Sequence, residues 1–338
     1  MKKQDSQEGI ALLLVLWVLT ILMVIVLSFS FMTKTETSAT LSFKDGIEKR
    51  FLAEAGIERG IMEVFYRTVN KGQTVILEGL EVWKTDGTPY SDQIGDGSYT
   101  VRIIDESGKI NLNGLSDGNA IILRQLLINM GVQEDNVNII VDSILDWKDP
   151  NKGMHRLNGA GDEYYESLPN PYEAKHADFD TLEELLLVKG MTPDILYGNA
   201  EKRGLIDFLA VIPTSAAPAA GGGFPGAAAG AAVGALININ AAPREVLLAV
   251  PGMTPEIVES IMSFRETKEI QNPQAEGGIP QDSVKFFSTS GNGPYAIEAV
   301  GHREKEKTGY TVKATVALDG NNKYHYLSYK SPATAHHE

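Results

Sequence analysis

The chain has 338 residues, a formal net charge of −14 and no cysteine. Its length exceeds what one simple core requires, so we expect an anchor segment and one or two folded units. The negative charge argues against a phosphate-binding surface and permits cation binding, and the absence of cysteine excludes disulfides, thiolate metal sites and a cysteine nucleophile.

An almost unbroken apolar run covers Ile10–Phe31. As a helix rising 1.5 Å per residue it would be about 33 Å long, enough to cross the roughly 30 Å hydrocarbon core of a bilayer. The polar segment before it ends in Gly9, and the run is followed by a poor match to a secretory cleavage site. Two interpretations are open: an uncut signal anchor, or a leader cut between Gly9 and Ile10 that leaves the run as the mature N-terminus.

The Gly9/Ile10 junction resembles the leader of type IV prepilins and pseudopilins. This resemblance implies that residues 1–9 are a leader removed by prepilin peptidase and that Ile10 is then methylated. The fifth residue counted from Ile10 is Leu14, where most pilins and pseudopilins have a glutamate that neutralises a neighbour's N-terminal amine. The K-type minor pseudopilin of type II secretion lacks this glutamate and lies at the filament tip, where no subunit lies above it.

Helical spacing continues beyond the apolar run. Residues Met32–Ala39 are polar, and apolar residues then recur among charges, with Arg59 and Glu63 four residues apart on one exposed face. We therefore expect one helix over residues 10–67, with its membrane-spanning part over 10–31. A helix half in lipid and half packed on a domain is the pilin layout, and a juxtamembrane stalk is the alternative.

Strand patterns lie on both sides of a long central segment. Apolar and polar residues alternate over Ser98–Asp105, and three strand-like runs with short connections follow near the C-terminus. These runs are Pro294–Gly301, Tyr310–Leu318 and Lys323–Lys330. We expect an α+β fold in which residues 68–109 and 282–331 form a small antiparallel-sheet domain of pseudopilin type, followed by a disordered tail over 332–338.

The central segment, residues 110–281, has helical periods and repeats itself. Ile110–Asn113 (INLN) returns as Ile237–Asn240 (ININ), and Val188–Ile195 returns as Val250–Ile257. In the second pair a glycine closes one helix, a threonine caps the next, a proline takes its first turn and an acid faces its N-terminal end. These features predict an inserted all-helical domain of two helix-hairpin-helix (SAM-like) units, joined by a flexible Ala/Gly-rich linker over 214–235.

Helix-hairpin-helix units often bind DNA, so a membrane-anchored DNA-uptake receptor is the alternative function. Acidic residues flank both predicted hairpins, and Lys189 is the one basic residue at either turn. Phosphate contacts require cations, so we interpret the hairpins as packing modules without nucleic acid as a partner.

Oxygen ligands are densest around Asp146. Asp142 and Asp146 share a helical face, Pro150 ends the helix and lets the next polar residues fold back, and further acids follow a polar loop. The set comprises Asp142, Asp146, Asp149, Asn151, Asp162 and Glu163. Calcium takes six to eight hard oxygen ligands, and the spacing is not that of an EF-hand. The residues alone fit a calcium loop and a solvated acidic loop equally well.

Further segments occur in an order that resembles the general secretion pathway protein K family across nearly the whole chain. With the leader junction and Leu14, they are Phe51–Ile57, Leu145–Asp149, Gly159–Ala160 with Asp162 and Tyr165, Pro171–Tyr172, Val188–Met191 and Ile237–Ala241. The resemblance implies bound calcium. Its implied ligands are Asp146, Asp149, Asn151 and Asp162, with Glu163 as a further candidate. Gly161 departs from the family, which usually has a glutamate there.

The resemblance also implies a function: a minor pseudopilin at the tip of the type II secretion pseudopilus, which initiates or caps filament assembly. The implied partners are the I-type and J-type minor pseudopilins, prepilin peptidase, the major pseudopilin filament and the inner membrane, with the bulk of the chain in the periplasm. We expect no enzymatic activity, since the chain has neither H-E-x-x-H nor G-x-S-x-G.

Overall fold

The computed structural model describes residues 7–69, 83–153, 155–199, 201–212, 236–289, 291, 293–303, 308–319 and 323–333, with the backbone alone for 7–10, 69 and 319. Three predicted segments lie wholly or partly outside the described residues: most of the leader (1–6), the Ala/Gly-rich linker (214–235) and most of the tail (334–338).

The helices and strands of the chain differ widely in length. The helices are α1 Gln7–Val69, α2 Ala120–Asn129, α3 Glu134–Lys148, α4 Asp162–Glu166, α5 Pro193–Tyr197, α6 Arg244–Ala249, α7 Pro255–Thr267, α8 Pro273–Gly277 and α9 Gln281–Val284. The strands are β1 Tyr90–Ile94, β2 Gly97–Asp105, β3 Ile110–Asn111, β4 Leu209–Ala210, β5 Ile237–Asn238, β6 Phe287–Ser288, β7 Tyr295–Arg303, β8 Tyr310–Asp319 and β9 Lys323–Lys330. Short 3₁₀ helices cover Glu106–Gly108, Leu112–Gly114, Leu182–Leu187 and Leu205–Asp207.

Helix α1 has 63 residues and runs unbroken through the polar stretch Met32–Ala39, so the predicted continuous helix is confirmed. At 1.5 Å per residue it is about 95 Å long. Its most apolar 18-residue window has a mean hydropathy of 3.0 and none of that window is buried within the chain. This half of the helix is therefore long and apolar enough to cross a membrane.

The second half of α1 packs on an antiparallel sheet with the strand order β1-β2-β7-β8-β9. Ala53, Ile57, Ile61 and Val64, spaced three or four residues apart, are buried against the apolar face of the sheet. The alternation predicted for Ser98–Asp105 is confirmed, because β2 points every second side chain toward α1. The three C-terminal strands are confirmed as well.

The segment between β2 and β7 forms a second hydrophobic core. It is mostly helical, but the prediction of an all-helical insertion is wrong in one respect, because it also contains two short parallel strand pairs, β3–β4 and β5–β6. Phe286 and Phe287 belong to this core, so its packing extends beyond the predicted boundary at residue 281.

The internal repeat corresponds to a repeated hydrogen-bonding unit. The side-chain amide of Asn113 both donates to and accepts from the backbone of Phe179, at 3.0 and 2.8 Å. Asn240 makes the same two bonds to the backbone of Ile270, at 3.0 and 2.8 Å. Each asparagine thus ties its strand pair to a distant segment of its own unit.

A cationic side chain caps the same turn in both units. Lys148 at the end of α3 and Arg265 near the end of α7 point at the turns that follow β3 and β5. Their acceptors are the carbonyl oxygens of Leu112, Asn113 and Leu115 for Lys148, at 3.2, 2.6 and 3.0 Å, and of Ile239 and Ala242 for Arg265, at 2.9 and 2.8 Å. Burial lowers the pKa of both cations. Leu112 also accepts the backbone amide of Leu115 at 3.2 Å, and the cations supply donors to the remaining carbonyls of these turns.

The predicted hairpin turns have the expected caps. Gly190 and Gly252 have φ values of 84° and 82°, in the left-handed region that favours glycine. Thr192 and Thr254 each accept a hydrogen bond from the backbone amide three residues on. A 3₁₀ helix precedes the first turn and the five-residue α5 follows it, whereas α6 and the longer α7 flank the second. Assignment of both units as helix-hairpin-helix modules stays a prediction.

Candidate assembly surface and acidic loop

The predicted processing and assembly residues lie at the start of α1. Gly9 and Ile10 are helical in backbone. Leu14 is 61% exposed and is flanked by exposed leucines and valines. A leucine at this position suits lipid or a neighbouring apolar helix, where a carboxylate is unfavourable by about 3 kcal/mol on insertion scales.

An apolar stripe continues along α1 beyond the membrane-spanning part and ends beside strand β9. Phe43, Phe51 and Met62 are each more than 60% exposed. Between α1 and the outer strand β9 lies a groove of about 490 Å³, where Phe51 faces Tyr326 and Tyr329. We name this feature the α1–β9 groove.

Acidic side chains line one wall of the α1–β9 groove. Glu54 and Glu58 belong to its lining. Arg50 pairs with Glu54 at 2.7 Å, and the hydroxyl of Tyr326 donates to Glu58 at 3.2 Å. The groove therefore combines apolar aromatic surface with carboxylates, a combination that suits an amphipathic helix with basic residues.

The acidic loop starts on α3, where Asp142 and Asp146 are both buried. Helix α3 ends at Lys148, before Pro150, as expected. Asp142 is paired with Arg124 and accepts a bond from the side-chain amide of Asn158 at 3.0 Å. A buried carboxylate needs such partners, since desolvation of an unpaired charge is costly.

Asp146 is neutralised by Arg156. The Arg156 guanidinium donates to Asp146 at 2.7 Å, and the backbone amide of Arg156 donates to both Asp146 oxygens at 3.2 and 3.1 Å. The same guanidinium lies 3.8 Å from Asp149 and donates two hydrogen bonds of 2.8 and 2.9 Å to Asp117. The hydrogen bond from Arg156 lowers the pKa of Asp117, and that pairing raises the pKa of Arg156. Gly159 is required beside this group, because a Cβ there would collide with the Asp146 carboxylate.

Asp162 is paired with His176. The Nε2 of His176 lies 2.9 Å from Asp162 Oδ1, its Nδ1 lies 2.8 Å from the carbonyl oxygen of Asp149, and the Ala174 amide donates to Asp162 at 2.9 Å. Burial alone would raise the pKa of Asp162 and lower that of His176. The bonds between them and to the backbone outweigh burial, so the pKa of Asp162 is lowered and that of His176 is raised.

The predicted calcium ligands are therefore only partly brought together. Asn151 bonds to the Asp149 carboxylate, and Glu163 is exposed at the start of α4. Carboxylates and an amide are the right chemical types for calcium. Within the described residues, however, no three His, Asp or Glu side chains are grouped as a metal site. Asp146 and Asp162, two of the calcium ligands implied by the family resemblance, are instead hydrogen-bonded to Arg156 and His176.

Sequence reasoning missed these two partners. Arg156 and His176 stand 10 and 14 residues from the carboxylates to which they are hydrogen-bonded. The sequence does contain one signal for Arg156. Asp142 and Asp146 lie on the apolar side of a helix and therefore need counter-charges or hydrogen-bond donors, and Arg124 and Arg156 are the nearest arginines before and after them in the chain.

A long exposed apolar helix, an antiparallel sheet packed on its second half and a bulky insertion between two strands together define an α+β protein whose described residues contain a candidate membrane helix. A family model described as "Type II secretion system (T2SS), protein K" matches residues 108–199, within the insertion. Type II secretion system protein K of Pseudomonas aeruginosa is 25% identical over 302 residues, which are 86% of this chain and 81% of the relative.

A further relative and a solved structure are also similar to this chain. The type II secretion system protein K of Aeromonas hydrophila is 27% identical over 207 residues, 55% of this chain and 60% of the relative. The solved GspK-GspI-GspJ complex from enterotoxigenic Escherichia coli contains a chain of the same fold, with a TM-score of 0.58 and 15% identity, covering 88% of this chain and 100% of that one. The predicted resemblance to type II secretion protein K is thus confirmed.

Proposed function

We propose that this chain is a minor pseudopilin that initiates or caps the pseudopilus of a type II secretion system at its tip. The observation that carries the proposal is the combination of one exposed, membrane-length apolar helix with a sheet domain bearing a large insertion. The names of its relatives supply the secretion system.

Assembly follows from two features of the chain. Helix α1 associates side by side with the N-terminal helices of I-type and J-type minor pseudopilins, and the α1–β9 groove receives one of these helices below the membrane-spanning part. Both helices start in the same bilayer, so they run parallel and meet this groove along their length. Leu14 offers no carboxylate to a subunit above, and the insertion is too bulky for another subunit to stack on it.

Maturation precedes assembly in this proposal. Prepilin peptidase cuts after Gly9, Ile10 is methylated, and the released apolar helix leaves the inner membrane to join the filament, with the bulk of the chain in the periplasm. Replacement of Gly9 by a larger residue is expected to block cutting, which intact-mass spectrometry of the purified chain detects as retained residues 1–9. Normal maturation of that variant contradicts the leader assignment.

Calcium binding by the acidic loop stays part of the proposal. Asp146, Asp149, Asn151, Asp162 and Glu163 are the residues that would hold it, and the ion would neutralise carboxylates that are hydrogen-bonded to Arg156 and His176 in this structure. Calcium is expected to raise the melting temperature of the chain more than magnesium does. An Asp149→Asn variant, which removes one ligand charge, should lose that difference. If calcium and magnesium raised the melting temperature of the unaltered chain equally, specific calcium binding by the loop would be contradicted.

Co-purification tests the function directly. The full chain, extracted in detergent, is expected to bring down I-type and J-type minor pseudopilins expressed beside it, and deletion of the chain is expected to abolish secretion without destabilising those partners. No recovery of either partner would contradict the assignment. A shift of DNA on a gel at physiological salt would instead favour the uptake receptor.

A further inference from the structure

The turn that follows β3 directs three backbone carbonyl oxygens at one point. They belong to Leu112, Asn113 and Leu115, and the ammonium of Lys148 at the end of α3 lies 3.2, 2.6 and 3.0 Å from them. An ammonium has three N–H donors and no acceptor, so three carbonyls match its full capacity for hydrogen bonds. We name this group of oxygens the carbonyl cradle.

The second unit has an equivalent group of carbonyls in the turn after β5, residues 239–242. The guanidinium of Arg265 donates there to the carbonyls of Ile239 and Ala242, at 2.9 and 2.8 Å. Arg265 stands two residues before the end of α7, whereas Lys148 is the last residue of α3. The two units thus bring cations of different shape from different helix positions to equivalent turns. What the turns share is a requirement for a positively charged donor, not for one particular side chain.

Backbone oxygens alone hold the Lys148 ammonium by hydrogen bonds in the described part of the chain. Asp178 attracts this ammonium at longer range. Carbonyl oxygens that surround a monovalent cation can replace its hydration shell, because their dipoles point their negative ends at the ion. The carbonyl cradle therefore has the chemistry of a monovalent-cation site, and the chain supplies the cation itself.

We propose that the carbonyl cradle is a binding site for a primary ammonium ion. Lys148 fills this site in the intact chain, and a free alkylammonium ion fills it when that side chain is shortened. Recognition depends on positive charge and on N–H donors together, since the oxygens accept hydrogen bonds as well as attracting charge. The inference concerns this turn alone and stands whether or not the chain joins a pseudopilus.

Chemical rescue tests the site. Lys148→Ala removes the side chain beyond Cβ, and n-propylammonium matches the removed part. For the full chain in detergent, n-propylammonium is expected to raise the melting temperature of Lys148→Ala by about 2–4 °C above its value in an equal concentration of tetramethylammonium. Tetramethylammonium has the same charge but no N–H donor, so it controls for salt effects. Equal melting temperatures in the two ions overturn the proposal.

Three control chains make the rescue specific. In the unaltered chain Lys148 already fills the carbonyl cradle, and in Lys148→Met an apolar side chain takes the place of the added ion. Lys152→Ala shortens an exposed lysine that pairs with exposed Glu173. Each of these chains should melt at the same temperature in both ions. A preference for n-propylammonium as large as that of Lys148→Ala in any of them would make the effect one of solvent and overturns the proposal.

Hydrogen exchange locates the rescued region. The amide of Leu115 donates to the carbonyl of Leu112 at 3.2 Å, so n-propylammonium should restore its protection in Lys148→Ala while residues 239–242 stay unchanged. An equal gain in both turns overturns the proposal. Should Lys148→Ala be unfolded without the ion, a cooperative melting transition in n-propylammonium but not in tetramethylammonium supports the site, and no transition in either ion overturns it.

Discussion

Arg156 is the cation shared by three carboxylates, two from the acidic loop and one, Asp117, from the segment before α2. It contacts Asp117, Asp146 and Asp149, and of these Asp146 is almost fully buried. A buried carboxylate that loses its partner keeps its desolvation penalty without compensation, whereas an exposed one is rehydrated. The stabilisation that Arg156 provides therefore comes mainly from Asp146.

Replacing Arg156 by glutamine is expected to lower the free energy of unfolding by about 2–3 kcal/mol, because it leaves the buried Asp146 without its cation. The measurement is denaturant unfolding of the full chain in detergent. Arg203→Gln is the matched control: Arg203 is 56% exposed and pairs with Asp207 and Glu245, so the expected loss is below about 1 kcal/mol. Equal losses in the two variants would contradict this account of Arg156.

The loop shows what residue patterns can and cannot predict. Oxygen-bearing side chains and the helix stop before Pro150 are visible in the sequence, and both predict a polar loop at the end of α3. Which side chain pairs with each carboxylate depends on how the segment after α3 packs back onto that helix. Local periodicity in the sequence does not predict this packing. The family resemblance assigns Asp146 and Asp162 to one ion, whereas in the structure they contact Arg156 and His176.

At the scale of elements, α1 lies directly against the backbone of β7 at Gly301. A Cβ there would collide with the backbone carbonyl of Lys49 in α1 and approach the amide of Ala53 to 2.7 Å. Backbone atoms of a helix do not move aside as a flexible side chain does. The lack of a side chain at residue 301 therefore sets how closely α1 lies on β7.

Gly301→Ala is expected to destabilise the chain by about 1–3 kcal/mol through overpacking between α1 and β7. Gly46→Ala, in the same region of α1 at a position where an added Cβ meets no atom within 4 Å, should stabilise the helix by about 0.5–1 kcal/mol. Thermal unfolding followed by circular dichroism measures both. The two variants are expected to change stability in opposite directions. A Gly301→Ala chain as stable as wild type would contradict the close packing of α1 on β7.

Lys148 allows a prediction for the repeated turns. Lys148→Met removes the donor from three carbonyls and is expected to lower the free energy of unfolding by about 1–3 kcal/mol. Lys152→Met, four residues on, removes an exposed lysine that pairs with exposed Glu173 and should change stability by less than about 1 kcal/mol. Denaturant unfolding compares them, and a neutral Lys148→Met would mean that water satisfies these carbonyls equally well.

The longer elements could be predicted because each carries its own periodic signal. Helix α1 combines a membrane-length apolar run before Met32 with helical spacing after Ala39, and β2 alternates over nine residues. The strands β3 and β5 have two residues each, too few for any period, and β3 pairs with β4 about 100 residues away. Repetition of the Ile-Asn motif marked these strands as equivalent to each other but could not indicate what they pair with.

At the scale of the whole molecule, apolar surface is distributed unevenly. The exposed apolar part of α1 leads into the α1–β9 groove, which lies at one edge of the sheet, while strand β1 forms the other edge. Soluble surfaces rarely keep aromatic side chains such as Phe51, Tyr326 and Tyr329 exposed side by side unless a partner covers them. The groove is therefore the surface through which the proposed assembly can be tested.

Phe51→Glu places a charge in the centre of the groove and is expected to reduce co-purification of I-type and J-type minor pseudopilins about tenfold, equivalent to about 1.4 kcal/mol of binding free energy. Because Phe51 is 63% exposed, the variant should fold normally, which its unchanged melting temperature would verify. Ile94→Glu is the control, since Ile94 is 50% exposed on β1 at the opposite edge of the same sheet. Reduced recovery for both variants would point to a general effect of added charge, and reduced recovery for Ile94→Glu alone would move the assembly surface to the β1 edge.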